Sequence, residues 1–280
     1  MLPLASLGPL VARALEEDLG GGDLTTEATV DEAAQAVGWA IARSDIVVSG
    51  GDVFRAVFAA VDPSLEVTLN TEDGLRAVRG DVLWTVRGGA RSILMGERTT
   101  LNFVQRMTGI ATLTRRYVDA VPAGCTTRIT DTRKTTPGLR LLERYAVRCG
   151  GGFNHRDTLG SAVLIKDNHI VSAGGITAAL RKAKLRAPHT CRIEIEVESL
   201  AELDEALTER ADIVLLDNFA PELVAEAVNR ARGRALIEIS GGITLERVAD
   251  LARAGIDVIS VGALTHSAPS ADIGLDIERV

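Results

Sequence analysis

A chain of 280 residues, 46% apolar and 25% charged, has globular composition and room for one large or two ordinary domains, which excludes a disordered or low-complexity protein. A net charge of −7 disfavours nucleic acid as a partner, because attraction to phosphate wants a basic surface. The longest stretch free of Asp, Glu, Lys and Arg, the 14 residues 258–271, falls short of the ~20 that span a bilayer, so no membrane segment is expected.

Residues Pro9–Leu19 read as a helix that stops at Gly20–Gly22. Strands are predicted at Val37–Val48 and Leu65–Leu69, with a helix over Val53–Val61 between them. Asp73–Gly74 and Arg79–Gly80–Asp81 read as turns, flanking Leu75–Val78 and Val82–Val86. A long helix is predicted from about Arg91 to Ala120, where Leu101, Val104, Met107, Ala111 and Val118 recur at helical spacing. From about residue 120 the rhythm becomes strand, helix, strand. The strands are Thr127–Thr130, Ala162–Ile165, Arg192–Val197, Asp212–Leu216, Leu236–Ile239 and Val258–Val261. Amphipathic segments lie at Ser199–Arg210, Pro221–Arg232 and Leu245–Ala254, with Ser199 and Thr244 as N-caps and Gly233 and Gly255 as stops. That alternation means parallel strands with right-handed crossovers. Six units are too few for an eight-unit barrel of ~250 residues, so either one strand escapes the pattern or the sheet is an open or incomplete barrel, with a doubly wound sheet as the alternative.

The strand ends carry the chemistry. Asp131–Thr132–Arg133–Lys134 follow the first strand and Lys166–Asp167–Asn168–His169 the second. Glu194, Glu196 and Glu198 alternate along the third, so they share a face that must meet solvent, cations or metal. Asp217–Asn218 closes the fourth strand, Ser240–Gly241–Gly242 the fifth, and Val261–Gly262–Ala263 the sixth. In β/α barrels the active site lies at this end, and the last two loops commonly bind phosphate with backbone N–H groups. The same glycines would also serve plain tight turns. Glu196 and Asp217 together offer oxygen ligands for Mg²⁺ or countercharge for a developing cation. Lys166 reads either as a Schiff-base lysine or as a fixed charge for a carboxylate.

Between Arg128 and His169 stand eight Lys or Arg and four acids, a +4 segment in an acidic protein, which points to a small anionic ligand. Cys125, Cys149 and Cys191 are odd in number and widely spaced, which argues against disulfides or zinc and for a reducing cytoplasm. Residues 1–10 lack a basic leader, and no signal peptide is expected. There is no GxxxxGK[ST], strand-borne GxGxxG, HExxH or CxxC motif, which disfavours P-loop, Rossmann and zinc-protease chemistry.

Motifs along nearly the whole chain resemble the quinolinate phosphoribosyltransferase family. They include Glu17–Asp18–Leu19 with Gly22–Asp23–Leu24–Thr25–Thr26, Gly96–Glu97–Arg98–Thr99, and the specific run Asp131–Thr132–Arg133–Lys134–Thr135–Thr136–Pro137–Gly138–Leu139–Arg140. Asn154–His155–Arg156, Leu164–Ile165–Lys166–Asp167–Asn168–His169, Glu194–Ile195–Glu196–Val197–Glu198, Leu216–Asp217–Asn218–Phe219, Ser240–Gly241–Gly242–Ile243 and Val261–Gly262–Ala263–Leu264–Thr265–His266 continue the match. After Arg156 the sequence departs from the family pattern, running Asp157–Thr158–Leu159–Gly160–Ser161.

The resemblance implies an α/β protein, an incomplete seven-stranded (β/α) barrel with an N-terminal α+β open sandwich. The expected domains are residues 1–108, 109–266 and a C-terminal segment 267–280 that packs back on the N-terminal domain. It implies joining of quinolinate to phosphoribosyl pyrophosphate with Mg²⁺, giving nicotinate mononucleotide, pyrophosphate and CO₂ in NAD biosynthesis. It also implies a homodimer or larger assembly with shared active sites. Carried over, Arg98, Lys134, Lys166, Glu196 and Asp217 are the catalytic set. Thr132, Arg133, His155, Arg156, Ser240, Gly241, Gly242, Val261, Gly262, Ala263 and His266 bind substrate, and Glu196 and Asp217 meet Mg²⁺, directly or through pyrophosphate. The competing readings are a Schiff-base aldolase using Lys166, a transport-associated paralogue, and a non-catalytic sugar-phosphate sensor.

Overall fold

The computed structural model describes Leu2 and residues 4–280. Helix α1 (Leu4–Leu19) starts earlier than expected and carries Pro9 inside it. Proline there forgoes one helical hydrogen bond, and the carbonyl it releases, that of Ala5, lies on an exposed residue where water can serve it. Next come α2 (Leu24–Thr29), β1 (Gln35–Ala42), β2 (Ile46–Val47), α3 (Gly51–Val61), β3 (Glu66–Leu69), β4 (Arg76–Ala77) and β5 (Val82–Gly89). The single strand expected over 37–48 is therefore two, broken at Arg43–Asp45. The long helix α4 (Ala90–Asp119) follows as predicted.

Strands and helices then alternate: β6 (Arg128–Thr130), α5 (Arg140–Cys149), β7 (Val163–Ile165), α6 (Asp167–Ala173), α7 (Ile176–Arg186), β8 (Ile193–Val197), α8 (Leu200–Thr208) and β9 (Ile213–Asp217). After them come α9 (Val224–Ala231), β10 (Leu236–Ser240), α10 (Val248–Arg253), β11 (Val258–Ser260), α11 (Ala263–His266) and β12 (Ile273–Arg279). Ser199 caps α8 by accepting the Glu202 N–H at 3.3 Å. Thr244 sits where an N-cap belongs, but its side chain makes no cap bond. Gly233 and Gly255 end α9 and α10 in the left-handed conformation, with φ of +73° and +91°.

The chain divides into two compact units. The first contains the residues up to Arg115, then 135–151 and 264–280. Its antiparallel sheet has the order β12–β1–β5–β3, so the C-terminal strand joins an N-terminal sheet. Phe54 and Phe58 of α3 pack with Trp84 of β5, with ring centroids 4.9 Å and 5.2 Å apart along the chain of three. Helix α5 buries a carboxylate, Glu143, which accepts from Arg106 at 2.9 Å and from the N–H and hydroxyl of Thr136 at 3.1 and 2.8 Å. Those partners offset the cost of taking it out of water.

The second unit, residues 116–134 and 152–263, holds a six-stranded parallel sheet in the order β6–β11–β10–β9–β8–β7. Ile195, Val214, Leu216, Ile237, Ile239 and Ile259 are buried on one face. The alternate residues Leu164, Glu196, Leu215, Asp217, Glu238, Ser240 and Ser260 line one cavity. Thr132, past β6 at one edge, and Leu164, on β7 at the other, line it too. The sheet thus curls into a barrel left open between its edge strands. The family resemblance implies a seventh strand; the parallel sheet has six, and beyond them Thr130 makes one isolated parallel bridge with Phe153. A single bridging residue leaves no alternating pattern to read in the sequence.

Candidate active site

The cavity of about 620 Å³ opens at the carboxyl ends of the barrel strands, with its lining wholly in the second unit. Four cations line it: Arg133 and Lys134 from the loop after β6, Arg156 from the loop before β7, and Lys166 at the end of β7. Burial and the like charge of Arg133 lower the pKa of Arg156. Crowded cations of this kind are stabilised when an anion enters. Lys166 is ion-paired with Glu196, a half-exposed ammonium against a largely buried carboxylate.

The sheet register arranges the acids. Glu196 pairs across to Leu215, Leu215 to Glu238, and Asp217 to Ser240, so the inner face presents these groups side by side. Asn218, just past Asp217, has φ of +49° and donates its side-chain amide to the Asp217 carboxylate at 3.0 Å. Gly241 lies against it with φ of +87°, and a Cβ there would stand 2.4 Å from the Asn218 side-chain oxygen. Only glycine fits, and the strained pair fixes the two strand ends.

Beneath the cations lies a buried polar cluster. Asp131, fully buried, accepts the His155 N–H at 2.7 Å and the Asn154 amide at 2.6 Å. The His155 ring points Nε2 at Glu194 Oε2, 3.2 Å away, and at Glu238 Oε1, 3.5 Å away, while Nδ1 accepts the Arg156 N–H at 2.7 Å. Burial, then the charge of Glu194, pushes the Glu238 carboxyl up to about 7. Burial pulls the His155 imidazole pKa down, but Glu194, Glu238 and Asp131 outweigh it and leave it raised. Both shifts describe one shared proton. The Arg156 N–H needs a lone pair on Nδ1, which assigns that proton to Glu238 and the ring's own proton to Nε2. Among the described residues, this trio also brings metal-ligating atoms within 4.8 Å of one another.

Of the expected site residues, Thr132, Arg133, Lys134, His155, Arg156, Lys166, Glu196, Asp217 and Ser240 line the cavity. Gly241, Gly242, Val261, Gly262 and Ala263 occupy the ends of β10 and β11 without lining it. Arg98 and His266 belong to the first unit, and both are exposed. His169 accepts the Lys166 N–H at 3.0 Å and so shapes the start of α6. Sequence reasoning missed Glu238 and Ser260. The available signal was a lone polar residue inside an apolar strand: Glu238 between Ile237 and Ile239, and Ser260 between Ile259 and Val261.

Comparison with known proteins agrees with this geometry. The model of the quinolinate phosphoribosyl transferase C-terminal domain matches residues 110–276, and that of the N-terminal domain matches residues 23–108. The nicotinate-nucleotide pyrophosphorylase [carboxylating] of Mycobacterium leprae is 46% identical over 273 residues, 95% of each chain. The probable counterpart of Bacillus subtilis is 40% identical over 93% of this chain and 90% of its own. The solved NadC of Streptococcus pyogenes superposes with a TM-score of 0.96 at 38% identity, covering 100% of this chain and 99% of its own.

Proposed function

The chain belongs to the quinolinate phosphoribosyltransferase family, and on that premise we propose how its barrel cavity carries out the family's reaction. The enzyme transfers the phosphoribosyl group of phosphoribosyl pyrophosphate to quinolinate with loss of CO₂, yielding nicotinate mononucleotide in de novo NAD synthesis. The observation that carries the mechanism is the cavity's polarity, with Arg133, Lys134, Arg156 and Lys166 against Glu196 and Asp217.

Both substrates are polyanions. A cation about 4 Å from a carboxylate gains ~4 kcal/mol at an effective dielectric of 20. Arg133, Arg156 and Lys166 take the two quinolinate carboxylates, with Thr132 and Lys134 beside them. Gly241–Gly242 and Gly262–Ala263, past the ends of β10 and β11, offer backbone N–H groups to the 5′-phosphate, while the Val261 N–H is given to the Thr130 carbonyl at 2.9 Å. The ring nitrogen forms its bond to C1′ as the C1′–O bond breaks, and that electron pair leaves with pyrophosphate. Glu196 and Asp217 face the positive charge that develops on the ribose. The C2–carboxylate bond then breaks. Its electron pair stays on C2, supported by the cationic ring nitrogen, until a proton replaces CO₂.

The donors Glu196 and Asp217 are oxygen-only, which suits a hard cation. They would hold Mg²⁺, which would supply countercharge to the pyrophosphate leaving group. The enzyme is a cytoplasmic homodimer or larger assembly in this reading, and the exposed Arg98 completes a neighbouring subunit's site. The test uses quinolinate labelled in its 2-carboxylate. Label appears as CO₂ only when phosphoribosyl pyrophosphate is present; release without it, or none with it, contradicts the reading.

A further inference from the structure

His155 lines the cavity, yet the protein occupies both nitrogens of its ring. Nδ1 accepts the Arg156 N–H at 2.7 Å, and Nε2 faces Glu194 at 3.2 Å and Glu238 at 3.5 Å. The two carboxylates come from different strands, β8 and β10, and their residues are only 4% and 3% exposed. Asp131, at the end of β6, holds the backbone N–H of the same histidine at 2.7 Å. Groups from three strands therefore fix one histidine, two at its ring and one at its backbone N–H. The next residue is held as well: the Arg156 guanidinium donates to the Ala162 carbonyl at 3.1 Å.

We propose that Asp131, Glu194 and Glu238 form a buried cradle for His155, and that His155 is a positioning residue for Arg156 rather than a ligand of the substrate. A ring that accepts at Nδ1 carries its proton on Nε2, and that proton points at the carboxylates, away from any ligand's need for a donor. Rotating the ring to reach a ligand would leave two buried carboxylates without it and release the Arg156 N–H, both costly in a site shielded from water. The acids of the cradle thus act at one remove. They set the ring, the ring sets the backbone of Arg156, and the guanidinium is presented at a fixed angle. The proposal rests on Arg156 being a cation for a quinolinate carboxylate.

The experiment is a double-mutant cycle on the full-length enzyme, with KM and kcat measured for each substrate and folding checked by thermal melting. His155→Phe keeps the ring shape but removes both nitrogens. Its quinolinate KM should rise roughly tenfold or more, as losses of supporting contacts do at other sites, with a much smaller change for phosphoribosyl pyrophosphate. In an Arg156→Ala background the same change should add less than about twofold, because positioning has nothing left to position. His155→Asn, which keeps an acceptor near the Nδ1 position, and Glu238→Gln, which keeps a hydrogen-bonding group, should each lose less than His155→Phe and Glu238→Ala. If the His155 and Arg156 effects simply multiply, His155 touches the substrate itself and the proposal is overturned. An Arg156→Ala enzyme with normal quinolinate KM would instead refute the role of Arg156, a distinct outcome.

Discussion

Lys166, at the end of β7, bonds through its ammonium to the carboxylate of Glu196 on the neighbouring strand β8. A lysine engaged this way is a fixed cation. A Schiff-base lysine must be neutral to attack a carbonyl and is found where burial or other cations strip its proton. Lys166 is half-exposed and paired with an acid, and quinolinate offers carboxylates, not a ketone or aldehyde. Borohydride added during turnover should therefore leave the intact protein mass unchanged. Lys166→Arg should keep more activity than Lys166→Ala, though below wild type because the wider guanidinium displaces the substrate. A trapped adduct mapped to Lys166 would restore the aldolase reading.

Sharing of sites between subunits has a quantitative signature. Arg98→Ala and Lys134→Ala are each expected to be inactive alone. In a mixed dimer one site carries both changes and the other carries neither. Random reassortment of equal amounts should then recover roughly a quarter of wild-type activity. Mixing confirmed by mass, with no recovered activity, contradicts the sharing.

The buried carboxyl of Glu238 ties stability to pH. Its folded pKa of about 7 stands above the unfolded value of a glutamate, so the folded protein binds the extra proton between those limits. The associated stability is complete below about pH 4 and is lost as pH rises through 7. The raised pKa of His155 reports the same shared proton and adds no second contribution. Between pH 5.5 and 8 wild type should lose on the order of 2 kcal/mol relative to Glu238→Gln, which has no proton to lose. Parallel melting curves for the two proteins across that range would show that Glu238 is charged throughout.

What was legible in the sequence follows from periodicity and its interruptions. The six barrel strands and α4 stood out because β-branched runs and helical spacing were unbroken. Helix α5 was missed because Arg140, Glu143, Arg144 and Arg148 disguise it, and Glu143 faces inward only because Arg106 and Thr136 meet it there. The cation set was visible as charges clustered between Arg128 and His169. The function of Glu194 was not. Its alternation with Glu196 and Glu198 marked a shared face, but the three diverge in depth: Glu194 is buried under His155, Glu196 is paired with Lys166, and Glu198 is exposed. Depth along a strand depends on how the barrel curls, which no local pattern records.

Acceptor choice tests the central claim most directly. Four cavity cations exceed what one carboxylate requires, so the site should demand the dicarboxylate. Pyrophosphate release from phosphoribosyl pyrophosphate is measured with quinolinate and, separately, with nicotinate. The account predicts rapid release with quinolinate and little or none with nicotinate at equal concentration. Equal turnover of the two acceptors would contradict it.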